Sequence, residues 1–149
     1  MKTVVQRVLK ASVSVDGVVH GKIDSGLLVY LGVAAGDTES DADWLAEKIA
    51  NLRIFKDTNE KMNLSVKDTG GSILAVSQFT LLADARKGRR PYYGNAADPE
   101  TAKNLYGYFM DKIRGQGLPC ENGVFQAHMQ VTYTNDGPIT IILDTKEIT

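Results

Sequence analysis

The chain has 149 residues, of which 43% are hydrophobic and 23% are charged. This composition is ordinary for a globular protein, and we expect a single domain over residues 1–149. Lysine and arginine total 17 against 18 aspartates and glutamates, which excludes a global attraction to polyanions. Any nucleic-acid contact must therefore come from a local basic patch.

The apolar run over residues 26–35 is too short to span a bilayer, which needs roughly 20 residues, and the first residues lack a signal-peptide core. We therefore expect a cytoplasmic protein without membrane contact. The single cysteine, Cys120, cannot form an intrachain disulfide. The two histidines, His20 and His128, lie far apart without a second ligand nearby, so the sequence predicts no metal site and no cofactor.

The first predicted element is a half-buried strand over residues 3–15. Apolar residues at odd positions, such as Val5, Leu9 and Val13, alternate with polar residues, which is the period of a strand with one buried face. Arg7 breaks this pattern from the buried side. Asp16-Gly17 then suits a tight hairpin turn into a second strand, because glycine accepts positive φ.

Further along the chain, strand and helix patterns alternate. Residues 27–33 and 72–76 are apolar runs typical of buried strands, and residues 125–133 and 139–143 are predicted as two more strands. A first helix begins near Asp41, with Ser40 or Asp41 as its N-cap and an apolar stripe of Ala42, Leu45, Ile49 and Leu52. A second helix covers residues 99–114, with Asp98 as its cap and an inward stripe of Ala102, Leu105, Phe109 and Ile113.

These elements predict an α/β (α+β) protein with two main helices and a mixed, mostly antiparallel sheet or partial β-barrel.

A candidate site lies at the end of the buried strand over residues 72–76, which is followed by Ser77, Gln78, Phe79 and Thr80. A strand end is where backbone N–H groups and short hydroxyls can turn towards a ligand, although the same residues could simply cap the strand. No Gly-x-Ser-x-Gly motif surrounds Ser77.

Two other segments can be interpreted either as functional sites or as ordinary surface structure. Residues 84–93 combine four cations with two tyrosines, which suits phosphate contacts and base stacking but is also typical of a solvated charged loop; the cations are Arg86, Lys87, Arg89 and Arg90. Gly137-Pro138 separates two predicted strands, and proline cannot donate to a strand ladder. It is either an ordinary trans turn or a cis bond whose two carbonyls form a rigid wall able to test the shape of a small substrate.

The motifs VVQRV, ASVSVDG, NLRIF, KMNLS, VSQFTL, ADARKGRRP and NDGPIT occur in this order along nearly the whole chain. Together they resemble the bacterial-type D-aminoacyl-tRNA deacylases. The resemblance implies hydrolysis of the ester that joins a D-amino acid, or glycine, to the 3′ end of tRNA. It also implies a homodimer in which Gly137-Pro138 of one subunit, in the cis form, inserts into the partner's pocket beside Ser77 to Thr80.

The resemblance also implies roles for single residues. Gly137 and Pro138 would exclude L-amino acids sterically, and the 77–80 segment would orient the ester carbonyl and stabilise the oxyanion, chiefly through the backbone N–H of Phe79. Thr80 has been regarded as a nucleophile in this family, but the sequence offers no evident base for it. The basic residues at 86–90 would contact the tRNA backbone.

Arg7, on the buried side of its strand, needs acceptors, and these are either the backbone at Gly137 and Pro138 or an acidic partner in a structural salt bridge.

Two other functions of the whole protein remain open. One is a non-catalytic RNA-binding module that uses residues 86–93, and the other is a hydrolase of an unrelated ester or peptide with Thr80 or Ser77 as its nucleophile.

Overall fold

The computed structural model describes residues 1–147. This part of the chain contains eight strands and two α-helices, with short 3-10 turns at Phe79–Leu82 and Thr145–Glu147. The elements are β1 (Lys2–Val15), β2 (Val18–Ile23), β3 (Gly26–Gly32), α1 (Glu39–Asn51), β4 (Phe55–Lys56), β5 (Met62–Leu64), β6 (Ser72–Ser77), α2 (Pro99–Gly115), β7 (Cys120–Asn122) and β8 (Gln130–Asp144).

The main sheet has six strands and is mixed. Its order is β2-β1-β3-β6-β7, and β8 pairs with β1 outside this path. All three partners of β1 run antiparallel to it, whereas β3 pairs with β6, and β6 with β7, in parallel. Strand β2 also packs against β7, so the sheet nearly closes into a barrel. The predicted α+β class, with two main helices and a mixed sheet or partial barrel, is confirmed.

Two apolar clusters form the core. The larger one packs both helices against one face of the sheet, around fully buried residues such as Leu45, Phe109 and Ile73. The smaller one fills the inside of the curved sheet and includes Val13, Leu74 and others. Burial of these side chains from water is the main force that holds the helices to the sheet.

Strand β1 crosses from one apolar cluster to the other. Val5 belongs to the helix-covered cluster and Val8 to the cluster inside the curved sheet. The pairing of β1 with β8 is irregular on both sides of Val8. The alternation is interrupted there and resumes with buried Ala11 and Val13, so the predicted inward position of Leu9 is wrong: its side chain is 55% exposed, and Val8 is buried instead.

The sequence predicts the N-cap of α2 correctly and that of α1 incorrectly. Helix α2 begins at Pro99 as expected, and the Asp98 carboxylate accepts a hydrogen bond from the backbone N–H of Thr101 at 3.1 Å. Helix α1 is capped by Thr38, not by Ser40 or Asp41, because the Asp41 carboxylate reaches back to the Thr38 backbone N–H at 2.8 Å. Within residues 1–147, no helix combines the length and the apolar character needed to cross a membrane.

Strand β8 replaces the two strands predicted at 125–133 and 139–143. Residues 125–129 lie outside the sheet, and β8 runs without a break from Gln130 to Asp144. The alternation from Phe125 onward was misinterpreted because these residues line a cleft instead of pairing with a neighbouring strand. The Gly-Pro pair lies within β8, at an irregularity of its pairing with β1.

Candidate functional site

A cleft of about 530 Å³ opens where β6 ends. One wall is formed by Ser77, Gln78 and Phe79, and a second by residues 96–102, which lead into α2. The third wall is the irregular segment over residues 125–131 that precedes and enters β8. These three regions of the chain, together with Val33, thus meet around one cavity, which is large enough for a small-molecule group.

Among the described residues that line the cleft, none carries a charged side chain, and His128, which is exposed, is the one ionisable group. Residues 1–147 contain no cluster of three or more histidine, cysteine or acidic side chains that could hold a metal ion. Cys120 is buried outside the cleft, and burial raises the pKa of its thiol to about 11. The cleft is therefore suited to chemistry that relies on orientation and hydrogen bonding more than on a catalytic acid or base.

The turn after β6 presents two backbone N–H groups without a backbone acceptor. Gln78 donates its own N–H to the Leu31 carbonyl at 2.8 Å, which fixes the start of the turn on β3. Phe79 and Thr80 are the first residues of the 3-10 turn, where N–H groups have no partner within the helix, and neither donates to another backbone group among residues 1–147. Both N–H groups therefore lack a backbone acceptor within the described residues, and Phe79 lines the cleft.

The Thr80 hydroxyl accepts a hydrogen bond from the Gln78 side-chain amide. Thr80 is exposed and does not line the cleft. Within the described residues, no histidine or carboxylate bonds to its hydroxyl. The geometry gives Thr80 no base that would convert it into a nucleophile.

The basic loop, residues 84–93, is a short hairpin beside the cleft. Asp84 and Tyr92 exchange backbone hydrogen bonds at its base, each of 2.8 Å. Arg86 is paired with Asp84 at 2.6 Å, and hydrogen bonds from the Arg86 side chain and backbone lower the pKa of that carboxyl to about 2. The side chains of Lys87, Arg89 and Arg90 are exposed and form no ion pair within residues 1–147.

An aromatic contact joins the basic loop to the cleft. The ring of Tyr93 meets the ring of Phe79 edge to face, with 5.2 Å between centroids. Both rings remain exposed, at 55% for Phe79 and 40% for Tyr93. The basic loop and the wall of the cleft thus form one continuous surface.

The Gly-Pro loop, residues 136–139, lies elsewhere on the chain. The bond between Gly137 and Pro138 is cis, and both residues are exposed. Gly137 has φ of +127°, and a Cβ at this position would come within 2.9 Å of the Ile139 backbone nitrogen. The position therefore requires glycine.

Arg7 is 6% exposed and packs against the Gly-Pro loop. Its Nη1 donates to the Ile54 carbonyl at 2.7 Å, and its Nε lies 3.1 Å from Oδ2 of Asp136. That approach is not aligned as a hydrogen bond, so Nε has no hydrogen-bond partner in the described part of the chain. A Cβ on Gly137 would lie 3.4 Å from Nη2 of Arg7, which places the guanidinium directly beside the loop.

Within one chain, the structure brings together only some of the residues named from sequence. Ser77, Gln78 and Phe79 line the cleft, whereas Arg7, Gly137 and Pro138 do not. Sequence reasoning missed the wall over residues 125–128, because its alternating pattern resembled a strand. The positive φ of Gln126, +65°, is a backbone feature that alternation cannot reveal.

Comparison with known proteins identifies the family. The family model described as "D-Tyr-tRNA(Tyr) deacylase" matches residues 4–144, which is nearly the whole chain. The chain belongs to this deacylase family. A protein of Koribacter versatilis named "D-aminoacyl-tRNA deacylase" is 63% identical over 99% of both chains. A protein of the same name from Geobacter sulfurreducens is 59% identical over 98% of this chain and 96% of its own.

Two solved structures share the fold of this chain. One described as "c-Myc DNA Unwinding Element Binding Protein" superposes with a TM-score of 0.91 and 41% identity, covering 97% of this chain and 99% of its own. Another, described as "a probable eukaryotic D-amino acid tRNA deacylase", has a TM-score of 0.83 and 16% identity, covering 95% of this chain and 97% of its own. At that identity the second likeness concerns the fold alone.

Proposed function

We propose that the protein is a D-aminoacyl-tRNA deacylase, an editing hydrolase that cleaves the ester between tRNA and a D-amino acid or a wrongly attached glycine. The observation that carries this proposal is 63% identity over 99% of both chains to a protein of that name. Because aminoacyl-tRNA is consumed in translation, we place the enzyme in the cytoplasm. It needs no cofactor for this reaction.

The uncharged cleft supports a mechanism without a catalytic triad. An aminoacyl ester is already activated by its α-ammonium group, so the protein needs mainly to orient the carbonyl and to stabilise the oxyanion that forms when water attacks. Ser77, Gln78 and Phe79 line the cleft, and the Phe79 N–H has no backbone acceptor within the described residues. We assign the oxyanion to that N–H, with the terminal ribose hydroxyl of the tRNA assisting.

The selection against L-amino acids is assigned to Gly137 and Pro138 of a second subunit. The Gly-Pro loop does not line the cleft of its own chain, and both residues are exposed, which supports insertion into a partner. An L side chain would run into this loop, whereas hydrogen or a D side chain would not. The selection thus works by exclusion and lets glycine pass.

Strand β8 offers the surface for such a homodimer. Among the described strands it pairs with β1 alone, so its other edge is unpaired. It exposes apolar side chains, including Ile142 at 70% and Tyr133 at 37%. Unpaired edges with exposed apolar residues are surfaces that proteins usually cover, here with a second copy.

Arg7 acts on the Gly-Pro loop and not on the substrate. Its guanidinium lies beside Asp136 and Gly137 and is held in place by the Ile54 carbonyl. The acidic-partner interpretation has support in Asp136, which directly precedes the Gly-Pro pair, whereas the backbone acceptor that Arg7 reaches is the Ile54 carbonyl and not the backbone of Gly137 or Pro138. In our proposal the ion pair is the means by which Arg7 anchors the loop.

The basic loop contacts the tRNA backbone. Lys87, Arg89 and Arg90 are exposed cations without an ion pair in the described residues, while Arg86 is occupied by Asp84. The aromatic contact between Phe79 and Tyr93 places this loop next to the cleft. A tRNA whose 3′ end enters the cleft would bring its phosphates to these side chains, in contacts that weaken as salt concentration rises.

The proposal is tested with one tRNA charged in turn with D-tyrosine and L-tyrosine. We expect the purified protein to release D-tyrosine at catalytic concentrations and to leave the L-ester intact. Binding of tRNA without release of either amino acid would contradict the proposal and favour the non-catalytic RNA-binding module. A covalent aminoacyl-protein adduct would instead favour a nucleophilic mechanism through Thr80 or Ser77.

A further inference from the structure

The ladder between β1 and β8 contains an insertion on the β8 side. Gln6 pairs with Thr140 and Val8 with Asn135, so the four residues at 136–139 lie opposite the single residue Arg7. Four residues cannot fit opposite one in a regular ladder, and they must leave the plane of pairing. The backbone on both sides of this Gly-Pro loop therefore needs hydrogen bonds from outside the ladder.

Asn135 supplies two of these hydrogen bonds. Its Nδ2 donates to the Arg7 carbonyl at 2.9 Å and to the Ile139 carbonyl at 3.0 Å. The first acceptor belongs to the residue opposite the loop, and the second to the last residue of the loop. One side-chain amide thus ties the start of the Gly-Pro loop both to β1 and to the last residue of the loop.

The other atom of this amide joins a second chain of contacts. Oδ1 of Asn135 accepts from the Thr140 hydroxyl at 3.5 Å, and that hydroxyl accepts from Nε2 of Gln6 at 3.2 Å. Asparagine is the residue that this site requires, since its NH₂ supplies two donors while its carbonyl accepts. Aspartate has the same shape but no donor when ionised, and alanine has neither group.

We propose that Asn135 is a positioning residue that holds the Gly-Pro loop in the shape needed to exclude L-amino acids. This assignment rests on the proposed function. Asn135 acts on the loop from within β8, while Arg7 contacts the loop through Asp136 and Gly137. A misplacement of about 1 Å in such a wall can change a rate by about a hundredfold, whereas Asn135 does not line the cleft and forms no hydrogen bond to Ser77 or Phe79.

The test measures kcat/KM for the D-tyrosyl and L-tyrosyl esters of one tRNA with the full-length wild-type protein and two variants. Asn135→Ala removes the whole amide, whereas Asn135→Asp keeps the volume of the side chain and removes both donors. If Asn135→Ala does not fold, Asn135→Asp alone tests the role of the two donors. We expect cleavage of the D-ester within about threefold of wild type and a rise of about tenfold in the ratio of L-ester to D-ester cleavage. Circular dichroism checks that each variant is folded.

Asn122→Ala is the matched control. Asn122 is also half-buried, and its Nδ2 donates to the Gly123 carbonyl at 2.8 Å, but it belongs to β7 and contacts neither the Gly-Pro loop nor the cleft. A role of Asn135 in stability alone would make its variants behave like Asn122→Ala, with an unchanged ratio between the two esters.

The outcomes separate the two claims. If wild type discriminates between the esters and the folded Asn135 variants discriminate equally well, the assignment to Asn135 is wrong while the proposed function stands. If wild type cleaves neither ester, the proposed function is wrong, and the assignment falls with it.

Discussion

The hydroxyl of Thr80, an exposed residue, accepts a hydrogen bond from the Gln78 amide, and no histidine or carboxylate bonds to it among the described residues. In our proposal the neighbouring Phe79 differs, because its contribution to the reaction is a backbone N–H, which no side-chain substitution removes. This difference predicts a specific pattern of mutational sensitivity at the end of β6. Side-chain truncation should matter little wherever the backbone acts on the substrate.

We therefore predict that Thr80→Ala retains D-aminoacyl-tRNA hydrolysis within about threefold of wild type. Removing a true nucleophile costs far more, on the order of a million-fold in a serine protease. Single-turnover deacylation measures the effect, with Thr69→Ala as the control because Thr69 is an exposed threonine that lies outside the cleft. Loss of activity by several orders of magnitude, or an aminoacyl adduct on Thr80, would contradict the mechanism.

At the scale of elements, α2 and β6 are joined behind the cleft by one buried hydrogen bond. The Tyr106 hydroxyl donates to the Ala75 carbonyl at 2.7 Å, and Tyr106 is 4% exposed. Burial raises the pKa of this hydroxyl, which keeps it protonated as a donor. This bond links the helix whose first turn lines the cleft to the strand that ends in Ser77.

Tyr106→Phe should lower the free energy of unfolding by about 1 kcal/mol, the typical value of one intramolecular hydrogen bond. Tyr108→Phe, on the same helix, removes a 2.8 Å bond to Asp43 at the exposed surface, where solvent competes for both partners, and should cost clearly less. Urea unfolding of the two variants provides the comparison. Equal losses in both variants would contradict the inference that the buried bond holds α2 to β6.

The elements also differ in how far sequence could predict them. The start of α2 was predictable because Asp98 and Pro99 act locally, through a cap and a fixed φ. The turn at Asp16-Gly17 was predictable for the same reason, since both residues adopt positive φ between paired strands. The exposure of Leu9 was not predictable, because it follows from an irregularity in pairing with a strand more than 120 residues away in sequence.

The same distinction applies to the site. Ser77, Gln78 and Phe79 could be named because they directly follow an apolar strand, and the structure places all three along the cleft. The wall over residues 125–128 and the contacts of Asn135 arise from tertiary packing, which alternation along the chain does not encode. The ion pair of Arg7 with Asp136 is likewise a contact between distant parts of the sequence.

For the whole molecule, the distribution of groups matters more than the net charge of −1. An uncharged cleft, a basic loop and a Gly-Pro loop occupy three places, and the first two are adjacent through Phe79 and Tyr93. The third meets a cleft only if two chains assemble. In the mechanism that we propose, the tRNA is held by charge, the ester is oriented by hydrogen bonds, and the amino acid is selected by shape.

Selection by shape is tested most directly with alanine, whose two enantiomers differ only in where one methyl group points. One tRNA carrying glycine, D-alanine or L-alanine is incubated with the wild-type protein, and the loss of each ester is followed over time. We predict that the glycyl and D-alanyl esters are cleaved while the L-alanyl ester persists. Cleavage of the L-alanyl ester at the rate of the D-alanyl ester would contradict exclusion by the Gly-Pro loop.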